Sequence, residues 1–448
     1  MANSTLSALL TERYGDWQRP ILPPNTFTMS LPFVPSDDKS GLQFSMPIMV
    51  AISQGATPDN TGGVINLKGA RSGKNLKATL DGVNLYMQEQ LSYSDLMKMS
   101  NGASESGNAA AYTSGPDWVY YSMLLGLQHH SEMMALYGAG TTATIGGDIG
   151  VIAALVAGTN ISSGGGGATV TITGETWARL LWMNSGSGGD ADKGMLVDIY
   201  NSAGTTVQAN NVRVIGVVDP NKCQVQIIAT AATSTGPSLV PAAGMRFVPA
   251  GWGASSALGV SGIMQTVGTF AGIDNTTTPQ WRPANFVTSG AISFDTVQNF
   301  ASKLRGNGFQ KGVFDIWAAP PVQAVLTNSL FTLSRWNDNA GRDLKVSGTG
   351  ALEVDTQVGK FVLNSYGYLK QGEILVIARG EAVRIGAAEQ RTEGVKGEGL
   401  VLELQGQSGT EMRAMCQFAP LLTKPLFSGR ITGYTVNTAG SGFDIPAA

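Results

Sequence analysis

Residues 114–140 read SGPDWVYYSMLLGLQHHSEMMALYGAG, and how this stretch folds constrains everything else in the chain. Pro116 fits a first helical turn, where its missing N–H has no intrahelical partner to lose. Asp117 places negative charge where the helix dipole favours it. Trp118, Tyr121, Leu125 and Leu136 share one face, and Val119, Met123, Leu127 and Met134 widen it. Gly138 and Gly140 supply the stop. Between Pro116 and Tyr137 there is no further proline and a single glycine, Gly126. The spacing therefore predicts one rod of about 33 Å at 1.5 Å per residue. On both sides of it the sequence reads mainly as strands and loops, so this helix is the expected spine.

Working outward to the N-terminus, residues 1–40 read as an extended arm. Leu6–Tyr14 is a short amphipathic piece, and Pro20, Pro23, Pro24, Pro32 and Pro35 then exclude a regular helix. Residues 41–97 read as a long hairpin with outgoing strand Leu42–Ser53 and return strand Gly82–Tyr93. Its basic, Gly-rich tip carries Lys68, Arg71, Lys74 and Lys77. About thirty residues of such a tip exceed a compact-domain connection, which calls for a partner surface.

Beyond the spine, residues 141–157 are small and apolar. From Ser162 to Pro249 six short strands are expected: 168–173, 178–183, 195–200, 211–218, 224–230 and 245–248. Glycine- and asparagine-rich turns separate them, the pattern of a small antiparallel barrel or sandwich. Ser293 is the expected cap of a helix carrying Val297, Phe300, Ala301 and Leu304, with the stop at Gly306–Gly308. Val313–Ala318 reads as a buried strand. Pro320 and Pro321 open a second helix with Val322, Leu326, Leu330 and Leu333 in line. Residues 351–418 read as strand-rich, and the Gly/Thr-rich stretch from Ser428 as a surface extension.

Composition narrows the function classes. Charged residues make up 14% of the 448-residue chain, against about 25% in an average soluble protein. Its 58 glycines are close to twice the usual share. Low charge with many turns suits a surface largely covered by other copies. The net charge of −3 gives no basis for tight nucleic-acid binding. The two cysteines, Cys223 and Cys416, form no CxxC pattern, and the only two histidines are adjacent, which disfavours most metalloenzymes and Ser-His or Cys-His hydrolases. The opening MANSTLSALLTERYGDW lacks a basic-then-apolar leader, and no apolar run approaches the roughly 18 residues of a membrane helix. A soluble, non-secreted chain is expected.

Several motifs carry chemistry elsewhere but not here. Zinc-binding helices place ligands at i and i+4, whereas His129 and His130 diverge by about 100°, so with Glu132 they read as polar positions on a half-buried helix. Gly69–Asn75 resembles a phosphate loop, but Lys68 stands where its first glycine belongs and Asn75 replaces the Ser/Thr. Gly188–Gly194 lacks the later ligands of a calcium loop. Asp295 and Asp315 read as a helix-start charge and a strand residue, with no acid–base pair. No catalytic, metal or cofactor site is expected.

The order of parts resembles the major capsid proteins of tailed bacteriophages, the Hong Kong 97-like fold. GPDWVYYSMLLGLQHHSEMMALYG resembles the spine helix leaving the extended loop. GMLVDIYNSAG with VRVIGVVDPNKCQVQI resembles the β-insertion of one branch. GIDNTTTPQWRP with FDTVQNFASKLRGNG resembles the start of the axial domain. The resemblance implies an α+β capsid fold with a β-barrel or sandwich insertion. Residues 1–40 would be the N-terminal arm, 41–97 the extended loop, 98–157 the spine helix and start of the peripheral domain, and 158–250 the insertion. Residues 251–349 would be the axial domain, 350–427 the strand-rich return and 428–448 a C-terminal extension.

It also implies a non-enzymatic, self-assembling subunit. Hexamers and pentamers would tile an icosahedral virion head around double-stranded DNA, bound without sequence specificity, with portal, scaffolding and decoration proteins as further partners and no membrane. Lys68, Arg71, Lys74 and Lys77 would dock on a neighbour, and Lys68, Lys74 or Lys77 would match by position the lysine that cross-links some such shells. The spine, with Trp118, Tyr121, Leu125 and Gly126, would feel any maturation bend, with Gly126 its flexible point. Two alternatives remain: an encapsulin-type nanocompartment shell, generally shorter and without so large an insertion, and a β-rich glycan-binding tail protein. The latter would recruit Trp177, Trp182, Trp252 and Trp281 with paired carboxylates.

Overall fold

In the computed structural model, the described residues are 27–35, 44–53, 56–57, 69, 72–92, 115–140, 144–158, 161, 167–173, 177–183, 194–219, 223–229, 239–253, 255–265, 268–309, 312–334, 345–346, 352–356, 358–392, 401–403 and 409–435.

The spine helix spans Gly115–Tyr137 without interruption, about 35 Å of rod. Its end is fixed by close approach as well as by backbone preference. A Cβ on Gly138 would lie 2.0 Å from the Ala257 carbonyl oxygen. The Ala139 N–H donates to Ser256 Oγ at 2.8 Å, and the Gly259 N–H to the Gly138 carbonyl at 3.1 Å. The C-terminal half of the helix is surrounded by core: Met123, Leu127 and Met133 through Tyr137 are buried.

One side of the spine faces a five-stranded sheet. Its longest strand, Gly409–Leu422, pairs antiparallel with Val83–Ser92, Ala382–Thr392 and Val401–Glu403, and Phe33–Pro35 of the arm adds in parallel beside Arg384–Gly386. This corrects the expected hairpin. Strand 83–92 pairs with 409–418, not with 44–51. The partner of Phe44–Ala51 is Lys74–Leu80, whose start lies in the stretch read as the basic tip. Its lysines suggested a loop, yet KNLKATL alternates as a strand does: Leu76, Ala78 and Leu80 turn inward while Asn75 and Lys77 are exposed.

A closed six-stranded barrel follows, in the order 246–249, 150–157, 167–173, 224–229, 207–219, 196–200. Alternate residues such as Ile152, Val170, Ile172, Val197, Ile199, Val225 and Ile227 fill it. It begins earlier than the sequence reading placed it, since Gly150–Ala157 is its first strand. The expected strand 178–183 is instead the helix Trp177–Met183. Its Ala-Arg-Leu-Leu run favours a helix over a strand, and Arg179, Leu180 and Met183, at helical spacing, are buried.

The third body is a seven-stranded mixed sheet in the order 284–291, 429–435, 373–378, 313–318, 359–365, 352–356, 345–346. The helices Phe294–Gly306 and Pro320–Ser334 accompany it. Ser293 caps the first, its Oγ accepting from the Thr296 N–H at 3.4 Å, and Val297, Phe300, Ala301 and Leu304 are buried as the period requires. Asp295 lies in the first turn. Asp315, on strand 313–318, pairs with Arg379. Residues 429–435 do not form a surface extension. They are an interior strand, parallel to 284–291 and antiparallel to 373–378, with Ile431 and Tyr434 buried. No described helix is long and apolar enough to cross a membrane.

Candidate assembly elements and the buried anchor of the spine helix

The hairpin 44–51/74–80 stands on a firm base. The Thr79 N–H donates to the Ala271 carbonyl at 2.9 Å, and Ala271 lies in the turn between the short strands Thr269–Phe270 and Ile273–Asp274. Behind that turn the Trp281 indole N–H donates to the Phe270 carbonyl at 3.1 Å, with the two rings stacked 5.9 Å apart. Toward its far end the hairpin presents apolar side chains to solvent: Met49 is 66% and Ile52 67% exposed. Lys74 and Lys77 are exposed on the second strand, on opposite faces. Lys68 and Arg71, and the acidic turn 188–193, lie outside the described residues.

On the spine, the side chains of Trp118 and Tyr121 lie outside the described residues, and Leu125 is half-buried. Gly126 sits where strand 83–92 crosses the helix: a Cβ there would meet Met87 Sδ at 2.9 Å. A groove of about 830 Å³ opens beside this crossing, between Val83–Gln88, the helix positions Leu127, His130 and Met134, and the barrel rim at Pro249–Trp252. Among the described residues no Asp, Glu, Lys or Arg lines it.

Of the three polar positions read as half-buried, His130 is so, but His129 and Glu132 are fully buried, 1% and 0% exposed. His130 Nδ1 donates to the Gly126 carbonyl at 2.9 Å, while its ring meets Trp182 and Trp252 edge-on at 5.4 and 6.3 Å. Burial lowers its pKa from the ordinary histidine value. His129 Nδ1 lies 3.1 Å from the Tyr368 hydroxyl, and burial, with His130 adjacent, lowers its pKa to about 4. Burial, with the Glu132 carboxylate nearby, raises the Tyr368 pKa well above the ordinary tyrosine value.

Glu132 accepts three hydrogen bonds. The Phe27 N–H donates to Oε1 at 2.8 Å, the Thr28 N–H to Oε2 at 2.9 Å, and the Tyr366 hydroxyl also donates to Oε1. Burial nevertheless raises its pKa above the ordinary carboxylate value, the three bonds only partly offsetting that loss of water. Phe27 fills the space above, edge-on to Trp317 at 5.1 Å and stacked on Tyr366 at 6.5 Å. Sequence reasoning missed this anchor. The signal was present in register: 129, 132, 133 and 136 share one helical face, and the other residues of that face are not carboxylates, so Glu132 there demands a partner.

Among the described residues no group of three or more His, Cys, Asp or Glu side chains is placed to hold a metal ion. Cys416 is buried, which pushes its thiol up to about 12. Trp182, Trp252 and Trp281 are buried, and among the described residues no carboxylate lines the groove beside the first two.

No protein-family model matches the sequence, and no curated protein does. Solved structures do. The subunit in the capsid asymmetric unit of cyanophage A-1(L) superposes with a TM-score of 0.50 at 11% identity, covering 97% of this chain and 100% of that one. This chain has the Hong Kong 97-like capsid fold. The capsid of a native GTA particle (TM-score 0.45, 6% identity, 95% of each chain) and the mature capsid of bacteriophage PhiM1 (0.43, 9% identity, 95% of this chain and 91% of that one) are more distant. The chain enters the barrel at Ile149, whose N–H donates to the Phe247 carbonyl at 2.9 Å, and leaves it at Ala250, whose N–H donates to the Leu196 carbonyl at 2.9 Å.

Proposed function

We propose that this protein is a major capsid subunit that self-assembles into the icosahedral head of a tailed bacteriophage or related particle. The observation that carries this is end-to-end similarity: the match to the cyanophage capsid subunit leaves neither chain with a large unmatched part. Low charge and a hairpin with exposed Met49 and neighbouring Ile52 support it.

In this reading the seven-stranded sheet and its two helices form the axial domain at ring centres, and the spine helix with the five-stranded sheet forms the peripheral domain. The hairpin 44–80 is the extended loop that overlaps a neighbour, with Lys68, Arg71, Lys74 and Lys77 in its contact region. The barrel is the insertion. Rings form by head-to-tail contacts between copies, closing by symmetry. The shell encloses double-stranded DNA without reading its sequence, and portal, scaffolding and decoration proteins complete the particle. The subunit performs no catalysis.

Negative-stain imaging of the concentrated, full-length protein tests this. Closed shells or ring capsomers are expected. A chain that stays monomeric at high concentration and retains oligosaccharide on a glycan array would sink the capsid reading in favour of a glycan-binding protein.

A further inference from the structure

We propose that Glu132 is the latch of the N-terminal arm: its carboxylate captures residues 27–35, which seat on or leave the spine helix as one unit. Two of its three bonds come from the arm itself, the N–H groups of Phe27 and Thr28, and the third from Tyr366. The carboxylate therefore joins three segments 105 and 234 residues apart in sequence. No cation among the described residues stabilises it. A buried anion held by dipoles alone is a costly way to fill core space, and an apolar side chain would fill that space at lower cost. What the carboxylate provides and an apolar residue does not is direction: it accepts only from a backbone presented at the correct register.

The rest of the arm follows from that register. Leu31 is buried, and its carbonyl accepts from Arg384 Nε at 3.0 Å. The Arg384 N–H donates to the Pro32 carbonyl at 2.8 Å, which starts the parallel pairing of 33–35 with 384–386. The Arg384 guanidinium then lies over the Phe33 ring at 5.7 Å. Each of these contacts requires the chain to leave Phe27 in the direction that Glu132 sets.

Hydrogen exchange of the full chain, read by mass spectrometry, tests the latch. Glu132→Gln keeps shape but sets an amide N–H against the Thr28 N–H. It is expected to speed exchange of the peptide covering 27–35 at least tenfold, leaving strands 196–200 and 313–318 unchanged. Tyr366→Phe, the milder variant, is expected to speed the same peptide about threefold. Exchange within twofold of wild type in 27–35 for both variants overturns the latch. So does an equal rise in 313–318, which would make Glu132 an ordinary core residue. If Glu132→Gln does not fold, Tyr366→Phe decides by the same comparison. The measurement concerns a single chain, so its failure is separable from failure to form shells.

Discussion

The Glu132 pocket and the 44–80 hairpin put polar groups to opposite uses. In the pocket each oxygen of a buried carboxylate is committed to a partner of the same chain. On the hairpin, the second strand carries exposed Lys74 and Lys77, while Met49 on the first strand and Ile52 just beyond it are exposed. A two-stranded ribbon is marginal alone, and this one is held at its base by Thr79 and Ala78. The difference separates what folds a copy from what joins copies. Interactions inside the pocket should govern stability of the single chain, and those on the hairpin should govern assembly.

Removing the hairpin gives the largest expected effect. Replacing residues 45–78 with a short glycine linker should abolish shells in sedimentation and electron microscopy while the remaining chain unfolds within a few degrees of wild type. Normal shells from this deletion would break the division at once. Glu132→Ala probes the other side. It leaves the Phe27 and Thr28 N–H groups and the Tyr366 hydroxyl buried without their acceptor, which costs about 3–5 kcal/mol. Urea unfolding followed by intrinsic tryptophan fluorescence should register that loss, and a change under 1 kcal/mol would mean that water replaces the carboxylate at little cost.

The same pocket gives a signed pH response. The folded pKa of His129 lies near 4, below its unfolded value of about 6.5, so the unfolded chain binds the proton first. Stability should fall as pH drops from 6.5 to 4, by on the order of 3 kcal/mol, then level off for this group. His130 acts in the same direction. Glu132 acts in the opposite one: its folded pKa is raised, so acidification through that window adds stability. Denaturation midpoints from pH 7 to 4 should therefore decline less steeply in His129→Gln and more steeply in Glu132→Gln. Parallel curves for all three proteins would remove the pocket from the acid response.

Legibility divides along the same line. The spine helix, the capped helix from Phe294 and the strand Val313–Ala318 were readable because a period, a cap and a stop agree. Pairing partners were not. Strand 83–92 has the alternation of a hairpin strand, but nothing local says that its partner lies at 409–418, more than three hundred residues away. The helix 177–183 was misread because Ala178, Leu180 and Trp182 also alternate, and a seven-residue segment does not separate the two periods. The strand 429–435 was hidden by its Gly and Thr content, which matters less than the parallel neighbour it meets. Glu132 was visible as a carboxylate on a buried face, while its partners at Phe27 and Tyr366 depend on the tertiary fold.

The smallest expected effect bears on the hairpin lysines, and it sharpens the division most. Lys74 and Lys77 are exposed and lie on opposite faces of one strand, so a flat partner surface meets one of them and not the other. Reversing a charge at either position should leave single-chain stability within about 0.5 kcal/mol. Across an interface an exposed ion pair is worth about 0.2–1 kcal/mol and weakens with salt. One substitution, Lys74→Glu or Lys77→Glu, should therefore raise the protein concentration needed for assembly at low salt, with the difference from wild type shrinking as salt rises. The other should behave as wild type. That asymmetry would tell which face of the ribbon lies against the neighbour. Equal effects from both would mean that the ribbon is clasped on both faces, and no effect from either would assign its docking to Met49 and Ile52 alone.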